Sequence, residues 1–147
     1  MRAGLEFLMI LPLVLAGCVP CASGQDDPCI GAYGAASVEQ FLPDLQNSVA
    51  VDDGAHVVEM VGFPIKITAD GKSRTLRSKN QLLEYYNVAF DAKVRALSAT
   101  QKVSELFCNW KGIMIGRGEI WINSGGRSSR LRIIAINHHP PWSPEDN

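Results

Sequence analysis

The chain has 147 residues, 46% hydrophobic and 20% charged, with 14 basic and 15 acidic side chains and a formal net charge of −1. This composition excludes a disordered tail, a collagen-like repeat and a multi-span membrane protein. The charge balance supplies no general attraction to nucleic acid, so no nucleic-acid partner is expected. A chain of this length can bury about two-thirds of its surface in one core, so a single domain is expected. The apolar residues are unevenly spread and concentrate in the first two dozen positions.

Arg2 and the amino terminus form a short positive start, weakened by Glu6, and Phe7 to Ala16 then run without a charge. An apolar run this short falls below the roughly 20 residues that a membrane-spanning helix needs, and it reads as a signal peptide. It ends in Leu15-Ala16-Gly17-Cys18. That quartet resembles the lipobox of bacterial lipoproteins, in which a peptidase cuts before the cysteine and the thiol carries a diacylglyceryl group. The resemblance implies a lipid anchor on Cys18, and Val19 in place of an aspartate implies the outer membrane, on its periplasmic face or at the cell surface. The alternative is cleavage after Ala22-Ser23-Gly24, which would leave a soluble secreted or periplasmic protein starting at Gln25.

Either cleavage leaves Cys29 and Cys108, which could pair in an oxidising compartment. Closing a loop of about 80 residues would contribute on the order of 4 kcal/mol in the chain-entropy description. A buried free Cys108 is the alternative. No cysteine pair has the spacing of a zinc site.

Residues 18–34 are rich in Gly, Pro and Asp and read as a tether, leaving 35–138 as the folded domain and 139–147 as a C-terminal tail. Ser37 and Gln40 form a capping box ahead of Val38, Phe41, Leu42, Leu45 and Val49 at helical spacing, with Pro43 expected to kink the helix or to start a second one. His56 to Thr68 predicts a strand, whose odd positions Val57, Val61, Phe63, Ile65 and Ile67 are apolar except at Glu59. Asp70-Gly71 predicts a hairpin into Lys72 to Leu76. A second capping box, Ser78 and Gln81, opens a long helix whose face is Leu82, Tyr86, Ala89, Phe90, Lys93, Val94 and Leu97. Val103 to Trp110, Ile113 to Ile115, Gly118 to Asn123 and Leu131 to Asn137 read as strands, with a loop over 124–129.

This order predicts an α+β fold, with helices on one side of a curved antiparallel sheet. The order of elements and the strand pattern Gly116-Arg117-Gly118-Glu119-Ile120-Trp121 resemble the NTF2-like (SnoaL-like, cystatin-like) superfamily. The resemblance implies a cone closed around a cavity, and it leaves activity open, because that superfamily includes both enzymes and binding modules.

The polar and aromatic residues that such a cavity would collect are Glu59, Tyr85, Tyr86, Trp110, Glu119, Trp121 and Asn137. Alternation would put Arg117, Glu119 and Trp121 on one strand face. A Glu59 held among apolar residues would have a raised pKa and could act as a general acid or base, as in isomerases of the superfamily. An ion pair with Arg117 or a wet sheet end is the plainer reading of that residue. His138 and His139 would point to opposite sides of an extended chain, so they form an exposed pair and no metal site. Arg127, Arg130 and Arg132 crowd the last hairpin, and Lys72, Arg74, Arg77 and Lys79 the first. No nucleophile elbow, phosphate loop or metal motif is present, and no cofactor is expected. The expected function is a lipid-anchored, non-catalytic binding domain for a protein, a peptide or a small ligand. The alternatives are a small isomerase- or hydrolase-like enzyme using Glu59, and an immunity-type inhibitor of a secreted toxin.

Overall fold

A computed structural model describes residues 28–124 and 130–138, with side chains from Ile30 onward. The expected signal peptide, Cys18, the expected tether as far as residue 27, residues 125–129 and the expected tail from residue 139 lie outside the described residues.

The described chain is α+β, with six helices and one six-stranded sheet. In chain order the elements are α1 (Pro28–Ala32), α2 (Ala35–Ala50), α3 (Gly54–Glu59), β1 (Val61–Ala69), β2 (Lys72–Leu76), α4 (Lys79–Glu84), α5 (Tyr86–Ala89), α6 (Ala92–Thr100), β3 (Phe107–Asn109), β4 (Gly112–Ile115), β5 (Ile120–Ser124) and β6 (Leu131–Asn137). The strand order across the sheet is β2-β1-β6-β5-β4-β3. The sheet is mixed, a correction to the antiparallel sheet expected, because β1 runs parallel to β6 while every other pair is antiparallel. Parallel neighbours need a long crossover, and everything from β2 to β5 lies between these two strands.

Helix α2 begins after Gly34, whose carbonyl accepts from the amides of Ser37 and Val38, so Ser37 sits in the first turn and caps nothing. Pro43 does not start a second helix. It stands inside one continuous helix on the exposed side, where solvent can serve the carbonyl that loses its donor. The buried side of α2 carries Val38, Leu42, Leu45 and Val49.

The strand expected from His56 begins only at Val61, because residues 54–59 form α3. The Asp53 carboxylate caps this helix by accepting from the His56 amide at 2.9 Å, and Val57 and Val58 are both buried, which a strand with one covered face would not allow. The β1–β2 hairpin turns at Asp70 and Gly71 with φ 50° and 69°, the left-handed pair that a two-residue hairpin loop requires. Ser78 caps α4 by accepting from the Gln81 amide.

The single long helix expected next is three short ones. The chain leaves helical geometry at Tyr85 and again at Phe90 and Asp91, where the Asp91 carboxylate accepts from the Val94 amide at 2.8 Å and restarts the helix as α6. Most of the anticipated face survives these breaks. Leu82, Tyr86, Ala89, Phe90 and Val94 are buried, Leu97 is half-buried, and Lys93 is exposed.

The segment 103–110 holds a 3₁₀ turn over Val103–Glu105 before β3, rather than one strand. Residues 116–119, expected within a strand, form the turn between β4 and β5. Gly116 has φ 70°, and a Cβ there would come to 2.5 Å from Glu119 Oε2. Gly112 has φ 146°, and a Cβ there would sit 2.3 Å from the Ile122 carbonyl oxygen, so only glycine lets β4 lie this close to β5.

Ile65 and Ile67 of β1, Leu76 of β2, Ile113 and Ile115 of β4, Ile120 and Ile122 of β5, and Ile133 and Ile136 of β6 join the buried residues of the helices in one core. Phe90 and Leu45 are fully buried within it. Trp121 is only 9% exposed, yet it stands apart from that core cluster because it projects from the opposite sheet face.

Candidate binding surface

The strand registers fix which residues share the sheet face turned away from the core. Phe107 pairs with Met114, Met114 with Trp121, Trp121 with Ala135, Ala135 with Lys66, and Lys66 with Thr75. These six residues form one row across all six strands, roughly 24 Å long at the usual strand spacing. The isoleucines beside Met114 and Trp121, Ile113 and Ile115 on β4 and Ile120 and Ile122 on β5, point into the core instead. A register shift between Trp121 and Ile122 leaves Ile134 of β6 as an extra residue that also lines this face.

The turn at Trp110 and Lys111 closes one end of β3 and β4. Trp110 is 84% exposed and Phe107 54%, and the Lys111 ammonium lies 5.3 Å from the Trp110 ring centroid. Trp110, Lys111, Lys66, Trp121, Asn123, Ile134, Ala135 and Asn137 line an open depression of about 650 Å³. A second depression beside it is lined by Phe107, Asn109, Lys111, Met114 and Trp121. Among the described residues, the charged side chains lining the two are Lys66 and Lys111, so the surface combines exposed aromatic rings with positive charge.

The structure thus brings together three of the expected cavity residues, Trp110, Trp121 and Asn137, but on the open outer face of the sheet. Tyr86 is buried in the core, stacked on Phe90 with ring centroids 5.1 Å apart, and its hydroxyl has no hydrogen-bond partner among the described residues. Burial, the largest influence, raises the Tyr86 pKa against the opposing charge of Arg95. Tyr85 lies elsewhere, with Arg74 over its ring at 4.9 Å.

Glu119 is 5% exposed and does not share a strand face with Arg117. It folds back within the turn to accept from the Arg117 amide at 2.6 Å. Asn137 fastens the same turn. Its amide donates to the Glu119 carbonyl at 2.7 Å and its Nδ2 to the Gly118 carbonyl at 2.8 Å.

Glu59 ends α3, and its side chain is 60% exposed rather than enclosed by apolar residues. Lys79 Nζ donates to both of its oxygens, at 2.6 and 2.5 Å, and Arg132 donates to its backbone carbonyl. The hydrogen bond from Lys79 holds its carboxyl below the usual carboxylate range, opposite to the raised value expected. The ion-pair partner is Lys79 and not Arg117, because the turn of α3 aims the side chain at the N-terminus of α4. Nearby, His56 Nε2 lies 3.1 Å from Asp44 Oδ1, and Arg130 and Arg132 line the same depression as Glu59.

His138 is buried rather than exposed. Its Nδ1 lies 3.1 Å from Asp91 Oδ2, its Nε2 3.3 Å from the Ala89 carbonyl, and its amide donates to Thr68. It ties the end of β6 to the start of α6. Among the described residues, no three His, Cys, Asp or Glu side chains gather as a metal site.

Cys108 is disulfide-bonded and therefore not the free thiol of the alternative reading; its partner lies outside the described side chains. Helix α1 packs on β3, where the Tyr33 hydroxyl donates to the Asn109 carbonyl at 3.2 Å.

Sequence reasoning missed Phe107, Lys111, Met114, Lys66 and Ala135 as surface partners of Trp121. The signal was available, since Met114 and Trp121 each interrupt a run of isoleucines and so must face away from them. Comparison with known protein families, with curated proteins and with solved structures returns no match to this chain.

Proposed function

We propose that the chain is a lipoprotein anchored through Cys18 to the outer membrane, carrying an NTF2-like domain that binds without catalysing. Cys29 is the proposed partner of Cys108, a pairing supported by the packing of α1, which contains residue 29, against β3. The NTF2-like reading is supported by the order of elements: helices, a hairpin, helices and then four strands. The binding surface is the outer sheet face, and the observation that carries this is the row from Phe107 through Met114 and Trp121 to Lys66, with Trp110 and Lys111 at its end. Its ligand, whether a protein, a peptide or a small molecule, presents an apolar group beside negative charge. The exposed, Lys79-bound Glu59 supplies no raised-pKa acid or base, so the enzyme reading loses its candidate.

The test is pulldown with the native chain against Phe107→Ser/Trp110→Ser and against Lys102→Ala, a charge change at the exposed Lys102–Glu105 ion pair. A ligand lost from the first variant and kept by the second supports the reading. A ligand held equally by all three places binding elsewhere.

A further inference from the structure

The outer face shares an edge of the sheet with the point where the anchor's tether enters the fold. Helix α1 starts at Pro28, ten positions after Cys18, and packs on edge strand β3, the strand that carries Phe107 and leads into Trp110. Ten residues reach at most about 35 Å, so a lipid on Cys18 would hold this edge close to the bilayer. The groups presented there are an exposed Trp, an exposed Phe and Lys111 stacked near the indole. Trp and Phe rings settle at the boundary between headgroups and acyl chains, and lysines beside them meet lipid phosphates while their stems stay on apolar surface. Lys66, on the same row, adds a second cation, and among the described residues no carboxylate lines either depression.

We propose that the ligand of this surface is the anionic lipid surface itself, with Trp110 and Phe107 dipping into the interface and Lys111 and Lys66 facing lipid phosphates. The proposal rests on the anchored binding-module reading and names its partner. A lipid surface fits better than a peptide because the most exposed rings stand at the rim of the sheet, on or next to the strand that α1 packs against, while Trp121 at the centre is already covered. The domain then lies with its sheet against the membrane and its helices away from it.

The test uses the full lipidated chain carrying Trp142→Phe, inserted into vesicles of phosphatidylethanolamine and phosphatidylglycerol with plain or brominated acyl chains. Trp110 emission is expected to fall about twofold or more in the brominated vesicles, given an insertion depth of roughly 5–10 Å. Adding Trp110→Phe should remove most of that quenching, leaving only the share of the covered Trp121, and because Trp110 is exposed the variant keeps its fold. Lys66→Glu/Lys111→Glu, or vesicles of phosphatidylcholine alone, should weaken it. Equal emission in plain and brominated vesicles, or quenching that Trp110→Phe leaves undiminished, overturns the proposal. Absence of quenching together with a protein captured through Phe107 and Trp110 overturns the lipid partner and leaves the binding surface standing. A chain that leaves the vesicles altogether contradicts the anchor; quenching of Trp110 when that soluble chain is titrated with the same vesicles would still support the lipid partner, and its absence would overturn it.

Discussion

Trp110 and Trp121 are eleven positions apart on one sheet face, and replacing each by alanine should have opposite consequences. Trp121 is 9% exposed, flanked in the row by Met114 and Ala135. Core Trp→Ala changes cost about 3–5 kcal/mol, and because Trp121 is walled by one layer of surface residues and lies apart from the core cluster, the lower end applies, about 3 kcal/mol. For a domain near 100 residues this lowers Tm by about 12 °C at roughly 4 °C per kcal/mol. Trp110, 84% exposed, should change stability by less than about 0.5 kcal/mol and lose ligand binding instead. Urea unfolding followed by far-ultraviolet circular dichroism gives both numbers without relying on tryptophan emission. A Trp110→Ala loss as large as that of Trp121→Ala would refute the reasoning, since it would mean that the indole is packed and not presented. A Trp121→Ala cost under about 1 kcal/mol would equally refute the packing of the row.

Tyr86→Phe should stabilise the fold by about 1 kcal/mol in urea unfolding, because it removes a buried hydroxyl without a partner among the described residues and keeps the stacking on Phe90. With its folded pKa raised by burial, Tyr86 contributes fully below its ordinary value of 10.0 and that contribution is lost as pH rises through the raised value, which ultraviolet titration of native protein against Tyr86→Phe would follow. Asp91→Ala removes both the cap of α6 and the contact to His138, and it should cost about 1–2 kcal/mol by the same unfolding assay. Glu59, with its folded pKa lowered by Lys79, favours the fold above its unfolded value of 4.5 and loses that effect as pH falls through the lowered one. Carbon-13 NMR titration should find the Glu59 midpoint moving up in Lys79→Ala; an unmoved midpoint would mean that the ion pair does not form in solution.

The sequence made the sharing of one strand face by Ile120 and Ile122, the β1–β2 hairpin and the bounds of β6 legible, because a period of two and an Asp-Gly turn are local signals. Two of its misreadings share one physical cause. Val57 and Val61 fit an alternating strand, and the competing signal was a single side chain, Asp53, whose cap makes residues 54–59 helical. Asp91 divides the long apolar face in the same way, leaving the face intact and breaking its axis. Alternation also tells which residues lie together without telling which side the helices cover. Trp110, Trp121 and Asn137 were therefore legible as a group, while their place on the outer face depended on where α2 to α6 pack. Glu59 left the group because α3 turned its carboxylate towards Lys79.

The anchored binding module is tested most directly by the mass of the mature N-terminal peptide from membranes of cells making the native chain. The expected peptide begins at Cys18 and carries a diacylglyceryl group, lost together with membrane attachment in Cys18→Ser. A mature chain beginning at Gln25, or at an unmodified Cys18, would contradict it.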